Sequence, residues 1–219
     1  MAGKALRWER RPDDRPHELL EAALKVFAEN GYRNTRLDDV AEAAGVTKGT
    51  IYHYFDTKEE LLLSAIEHYQ ALAFGRVEGV LQDVHLPAST RIRLLVRKMF
   101  SVRAPSSRYL LALLVRAAAH EVRRVHDTWL RDGPVKLWGL IAQLVEEGKD
   151  RGEFRPDADG DAGARLLVSG LMLQLIWQQH AAAVPALAID EDRLIDSTVE
   201  LFLAGLRSSA PPIAYSSVD

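Results

Sequence analysis

One short run of the sequence, residues 48–53 (KGTIYH), carries several side chains that could bind a nucleic acid. Lysine can donate to guanine O6 and N7, and threonine can contact a thymine methyl group, so both suit the major groove. No acidic residue lies between Ala43 and Phe55. Gly49 would allow a close approach to a DNA backbone. The run therefore indicates a surface for double-stranded DNA.

The rest of the sequence offers no arrangement typical of an enzyme. The seven histidines include no His-x-x-x-His pair, and the adjacent acids at 38–39 and 59–60 would point different ways on helices. The chain has no cysteine and no glycine-rich phosphate loop. We expect a protein that is not an enzyme and that holds no metal or cofactor.

Composition and charge do not by themselves indicate a DNA-binding protein. The net charge of the 219 residues is −3, so a basic domain is not the signal. The N-terminus lacks the apolar core of a signal peptide, and no apolar run reaches the ~20 residues of a membrane helix. A cytoplasmic protein is expected.

Two short helices joined by a tight turn would position the polar run. Thr35, with Asp38 three residues later, predicts the cap of one helix, and Gly45 predicts its end. Thr47 then predicts the cap of a second helix that buries Ile51, Tyr54 and Phe55. Such a pair is typical of a helix-turn-helix, whose second helix enters the major groove.

The residues from Gly31 to Leu61 resemble the DNA-binding domain of the tetracycline-repressor (TetR) family. The matching positions are Gly31-Tyr32-x-x-Thr35, then Asp39-Val40-Ala41-x-x-Ala44-Gly45-Val46-Thr47-x-Gly49-Thr50-Ile51-Tyr52-x-Tyr54-Phe55-x-Thr57-Lys58-Glu59-Glu60-Leu61. The resemblance covers roughly residues 16 to 65. Two departures are Thr47, where serine is commoner, and Arg36, where a small hydroxyl residue is usual.

The resemblance implies a role for each residue of the expected DNA face. Thr35, Tyr52 and Lys58 match positions that hold phosphates, whereas Lys48, Thr50 and His53 match positions that reach base edges. Arg36, Thr47 and Gly49 complete the predicted face. Two alternatives stay open, namely that Tyr52 packs beneath its helix and that His53 is a bystander.

The predicted fold is all-α, with about nine helices. The expected divisions are a flexible Arg-bearing arm (1–14), the helix-turn-helix domain (15–60), a ligand-binding and dimerisation domain (61–207) and a flexible tail (208–219). The fourth helix would extend as far as Leu81, and Gly133-Pro134 would kink the seventh or mark its start.

Two further sites are predicted in the C-terminal domain. The helix around residues 161–183 is apolar on nearly every side, which favours a four-helix bundle with a second subunit over burial as a central core helix. The predicted dimer interface comprises Leu166, Gly170, Leu173, Trp177, Leu194, Thr198 and Phe202. The predicted ligand pocket comprises Met99, Phe100, Tyr109, Leu113, Arg116, His120, Trp138, Met172, Gln174 and Trp177, although plain core packing would explain each of these equally well.

The sequence therefore predicts a homodimeric, ligand-responsive transcriptional regulator. Repression is what the family resemblance implies. Two reading helices about 34 Å apart would require a palindromic operator. The expected effector is apolar or aromatic and could carry a carboxylate or a thioester, as an acyl-CoA does. The alternatives are a DNA-binding factor without effector, an activator, and an all-helical enzyme in which the helix-turn-helix is incidental.

Overall fold

The computed structural model describes residues 15–100 and 123–207, and these residues form helices joined by turns. The predicted all-α class is therefore confirmed. The helices are α1 (Arg15–Asn30), α2 (Leu37–Ala43), α3 (Lys48–Tyr54), α4 (Lys58–Gly75), α5 (Glu78–Gln82), α6 (Ala88–Phe100), α7 (Arg123–Leu130), α8 (Lys136–Asp150), α9 (Gly160–Gln178) and α10 (Glu191–Arg207). The predicted arm, tail and sixth helix lie outside the described residues.

The described residues group into two compact units. One contains residues 15–72 and 123–132, and the other contains residues 73–100 and 133–207. This division does not coincide with the predicted boundary after residue 60. The assignment of DNA binding, ligand binding and dimerisation to separate domains stays a prediction.

The first unit is built around α1, whose apolar side is fully covered. Leu19, Ala23 and Phe27 are completely buried, and Ile51 of α3 and Leu61 of α4 join the same core. Gly31 (φ 80°) ends α1 and Gly45 (φ 64°) follows α2. Both lie in the left-handed region, which favours glycine, and the helix end at Gly45 was predicted.

Three local predictions for this unit are wrong. The cap of α2 is Arg36 and not Thr35, because the Asp39 carboxylate accepts the Arg36 backbone N–H at 2.7 Å. Tyr54 does not point inward, since 41% of it is exposed. Helix α4 does not extend to Leu81, since it ends at Gly75.

The second unit is a helical core formed by α5, α6, α8, α9 and α10. Its completely buried residues include Ile92, Leu95, Ile141, Leu171 and Leu203. Pro134, which lacks a backbone N–H, lies in a π-helical turn at Arg131–Val135 directly before α8, where the sequence predicted a kink or a helix start.

A carboxylate from the loop after α8 caps α6. The oxygens of Glu153 accept the backbone N–H groups of Ala88 (2.8 Å) and Ser89 (3.1 Å), and also the Ser89 hydroxyl (3.1 Å). Burial would raise the pKa of Glu153, but these hydrogen bonds stabilise its charged form, so the pKa lies below its ordinary value. The cap fixes the start of α6 on the core.

Candidate DNA-binding face

Helix α3 is held on the first unit by one buried residue and a capped start. Ile51 is completely buried, and Thr47 Oγ1 accepts the Thr50 backbone N–H at 3.2 Å, so the predicted cap is confirmed. The hydroxyl oxygens of Thr47 and Thr50 also lie 2.9 Å apart. The polar residues on the other side of α3 are therefore presented by a fixed helix.

Tyr52 and His53 both project from α3. Tyr52 is 53% exposed, which excludes the alternative that it packs beneath the helix. His53 is also exposed, and its ring lies edge-on to Tyr54 at 5.3 Å between centroids. The phenol of Tyr52 can donate to a phosphate oxygen, and the His53 imidazole can bond to a base edge or a phosphate.

Lys48, the first residue of α3, is engaged by an acid from α2. Its Nζ donates to Asp38 Oδ2 at 2.5 Å. This hydrogen bond and the carboxylate charge raise the pKa of Lys48. The ammonium is exposed, so it is accessible to DNA while it is paired with a carboxylate of its own chain.

Thr35 and Lys58 lie close together, but both face the protein. Thr35 is completely buried, and its hydroxyl donates to the Gly31 carbonyl at 2.8 Å. The Lys58 ammonium donates to three backbone carbonyls in the same turn. They belong to Tyr32 (2.8 Å), Arg33 (3.1 Å) and Thr35 (3.1 Å). These positions argue against the phosphate contacts predicted for both residues.

The remaining members of the predicted face are exposed. Arg36, Thr47 and Gly49 lie on the surface around the start of α3. An open groove of about 570 Å³ runs between α2 and α3. It is lined by Arg36, Asp38, Asp39, Ala41, Glu42, Val46, Thr47 and Lys48. The cationic Arg36 and the paired Lys48 therefore share one surface.

The predicted ligand pocket is covered only in part by the described residues. Tyr109, Leu113, Arg116 and His120 lie outside them. Phe100 is buried, Met99, Trp138 and Met172 are half-buried, and Gln174 and Trp177 are exposed. The guanidinium of Arg165 lies 4.6 Å from the Trp138 ring centroid. The pocket stays a prediction.

The predicted dimer residues of α9 share its exposed side, but those of α10 do not lie on an exposed side. Leu166, Gly170, Leu173 and Trp177 recur at helical spacing and are all exposed, whereas Leu194, Thr198 and Phe202 are half-buried. The space over Gly170 is open. Gly163 differs, because a Cβ there would lie 2.7 Å from the Phe202 ring, so it permits the close packing of α9 on α10 within the chain.

The sequence does not predict the contacts that Asp38 and Lys58 make within the chain. Asp38 was interpreted as a capping residue, yet it pairs with a lysine ten positions later. Lys58 bonds to a turn more than twenty residues before it. No local pattern predicts either contact. Because no acidic residue lies between Ala43 and Phe55, the sequence favoured a Lys48 without an acidic partner.

The capped α3, its exposed polar side and the tight turn before it define a helix-turn-helix, the arrangement in which the second helix enters the DNA major groove. Residues 19–65 match the family model described as "Bacterial regulatory proteins, tetR family", which confirms the resemblance of this part of the chain to that family.

Two similar proteins align with most of this chain. The transcriptional repressor KstR2 of Mycolicibacterium smegmatis is 26% identical over 190 residues, covering 84% of this chain and 88% of the relative. The fold is similar to that of the regulator FadR from Bacillus subtilis, solved in complex with stearoyl-CoA (TM-score 0.69, 24% identity). That alignment covers 87% of this chain and 99% of FadR.

A third similar structure is that of AibR, solved in complex with isovaleryl coenzyme A and operator DNA. It has a TM-score of 0.65 and 21% identity, and the alignment covers 85% of this chain and 97% of AibR. At these identities the two solved structures establish the fold.

Two kinds of feature are absent from residues 15–100 and 123–207. Neither stretch contains a helix both long enough and apolar enough to cross a membrane. Within the same ranges no three histidine, aspartate or glutamate side chains lie close enough together to hold a metal ion.

Proposed function

We propose that this regulator is a homodimeric transcriptional repressor that binds a palindromic operator and is released by an acyl-CoA-like effector. The observation that carries the proposal is the pair of exposed leucines on α9 and α10. Leu166 is 76% exposed and Leu201 is 75% exposed in the single chain. Large apolar side chains this exposed on two neighbouring helices favour a surface for association.

The remaining surface of α9 supports a symmetric dimer. Leu173 and Trp177 extend the apolar side of α9, and Gly170 leaves room for the backbone of a second helix. A two-fold axis would bring the same surface of two copies together. Helices α9 and α10 of each copy would then form a four-helix bundle.

A dimer fixes the form of the DNA target. Two copies of α3 related by a two-fold axis would enter successive major grooves, with half-sites about one helical turn apart. Tyr52 would position the protein on the backbone, and Lys48, Thr50 and His53 would contact base edges. The operator is therefore a palindrome.

The effector class is proposed from two observations. Stearoyl-CoA and isovaleryl coenzyme A occupy the similar structures FadR and AibR. The second unit of this chain also carries partly exposed large side chains, Trp138 and Met172, at predicted pocket positions. For release, the effector must favour the state that does not bind DNA. A coupling of ~1–3 kcal/mol would lower the operator affinity about 5- to 150-fold.

The dimer is tested by analytical ultracentrifugation of the full chain. We expect a dimer for the wild type and a monomer for Leu166→Glu. The matched control is Arg165→Gln at the preceding position, which is also exposed and changes the charge by the same amount, although it removes the hydrogen bond to Asp161 within α9. A monomeric wild type, or equal effects of both changes, would contradict the proposed interface.

Operator binding and release are tested with the DNA upstream of the gene. A gel shift of this duplex should be competed poorly by a random duplex of the same length. Thermal shift then compares short-chain and long-chain acyl-CoAs with free coenzyme A and free fatty acids. A member that raises the melting temperature should abolish the gel shift. A panel without such a member would refute the acyl-CoA part of the proposal and leave DNA binding intact.

A further inference from the structure

The ion pair between Asp38 and Lys48 places a negative charge inside the DNA face. Lys48 Nζ lies 2.5 Å from Asp38 Oδ2, and the pair joins the first turn of α2 to the first residue of α3. A face that only had to attract phosphates would gain nothing from this acid. The pair therefore calls for a role beyond general attraction to DNA.

We propose that Asp38 is a specificity-determining residue, because it withholds the Lys48 ammonium from phosphates and releases it only to a guanine edge. The inference rests on the DNA binding proposed above. An ammonium that gains a phosphate but loses a carboxylate exchanges one anion for another, so it adds little to the salt-dependent attraction that dominates non-specific binding.

Guanine differs from a phosphate in what it offers the lysine. Its O6 and N7 atoms are two acceptors side by side in the major groove, the contact most often used for specific recognition by lysine and arginine. Lys48 is the first residue of α3, and its side chain is exposed beside Gly49 and Thr50. Only in register with such a base does the ammonium gain enough to leave Asp38.

The partial burial of Asp38 makes the transfer of Lys48 from this carboxylate to DNA selective for a strong base contact. Oδ1 of this carboxylate is buried and, among the described residues, has no hydrogen-bond partner, so Lys48 is the contact that stabilises its charge. Withdrawal of the lysine leaves a partly buried carboxylate without its cation. A weak or misplaced contact on DNA cannot offset that loss.

The test measures affinity for two duplexes of equal length, one carrying the gene's upstream DNA and one of random sequence, over a range of salt. The variant Asp38→Asn removes the charge at nearly constant size. We expect it to raise affinity for random DNA about 2- to 5-fold, as expected for release of an exposed ion pair. The salt slope should steepen by about one, and the upstream duplex should gain less, so discrimination falls.

A double-mutant cycle with Lys48→Met shows whether the effect acts through the lysine. In the Lys48→Met background, where Asp38 is an unpaired acid, Asp38→Asn should raise random-DNA affinity no more than the loss of another acid on the same groove does. The charge control is Glu42→Gln, an exposed acid one turn further along α2 that lines the same groove. It should act equally with and without Lys48.

If circular dichroism shows that Asp38→Asn impairs folding, the single variant Lys48→Met gives an independent test. It should lower affinity for the upstream duplex about 5- to 150-fold, the value of one good base contact. Affinity for random DNA should fall much less, by no more than the repulsion from the unpaired Asp38 carboxylate. An equal loss on both duplexes would overturn the proposal, because Lys48 would then be a phosphate contact.

Two failures can be told apart. If wild-type protein does not prefer the upstream duplex over random DNA, the proposed function fails, and this inference falls with it. If the wild type does discriminate but Asp38→Asn acts equally in both Lys48 backgrounds, only the role of Asp38 is refuted.

Discussion

Replacement of Lys58 by methionine should destabilise the first unit without removing a DNA contact. The ammonium donates to the carbonyls of Tyr32, Arg33 and Thr35, and it lies 4.4 Å from the Tyr32 ring centroid. Two of these bonds are part-buried and each contributes about 1–1.5 kcal/mol net, whereas the exposed bond to Arg33 adds little. The variant should therefore lose roughly 2–4 kcal/mol, including the contact with the ring.

The measurement combines unfolding with DNA binding. Urea unfolding followed by circular dichroism should give a lower midpoint for Lys58→Met, and hydrogen exchange should be faster in residues 31–36. Lys25→Met, at an exposed position of α1, is the control and should leave both unchanged. At a temperature where both proteins are folded, the salt slope of DNA binding should be the same for Lys58→Met and the wild type.

The opposite pattern would refute the reasoning. If Lys58→Met unfolds at the wild-type urea concentration but flattens the salt slope by about one, then Lys58 holds a phosphate as the family resemblance implies. The bonds to the turn would then be a feature of the free protein that is exchanged on DNA.

Three further changes have expected outcomes. Thr47→Ala should lose about 1 kcal/mol in urea unfolding, because α3 loses its capping oxygen, while Thr47→Ser should retain it. Gly163→Ala should lose about 1–3 kcal/mol because its Cβ would meet the Phe202 ring at 2.7 Å, whereas Gly139→Ala, in α8 with open space, should gain about 0.5–1 kcal/mol. Glu153→Gln should lose about 1–2 kcal/mol at neutral pH. Its folded pKa is lowered, so the stability that the carboxylate contributes is complete above the ordinary glutamate value and is lost as the pH falls through the folded value.

Each outcome has a counterpart that would contradict it. Equal midpoints for Thr47→Ala and wild type would mean that the cap contributes nothing. A gain in stability for Gly163→Ala would show that Phe202 yields without cost. A difference between Glu153→Gln and wild type that persists unchanged at acid pH would show that the carboxylate charge is not what caps α6.

The sequence was a good guide to several contacts that span four residues or fewer. Gly45 takes the backbone conformation that its position at a helix end predicted. Thr47 caps α3 as predicted. The cap of α2 was displaced by one residue, because Asp39 reaches the backbone of Arg36 while Thr35 turns inward.

The sequence alone determined that this chain is all-α and carries a helix-turn-helix, since helix caps, glycine turns and apolar spacing are local properties of the chain. Only the tertiary structure decided that Lys58 bonds to the turn after α1, that Asp38 pairs with Lys48, and that Leu166 faces outward. The physical reason is that such contacts depend on how helices cross and on which side each one buries. Residue spacing within one helix does not fix that geometry.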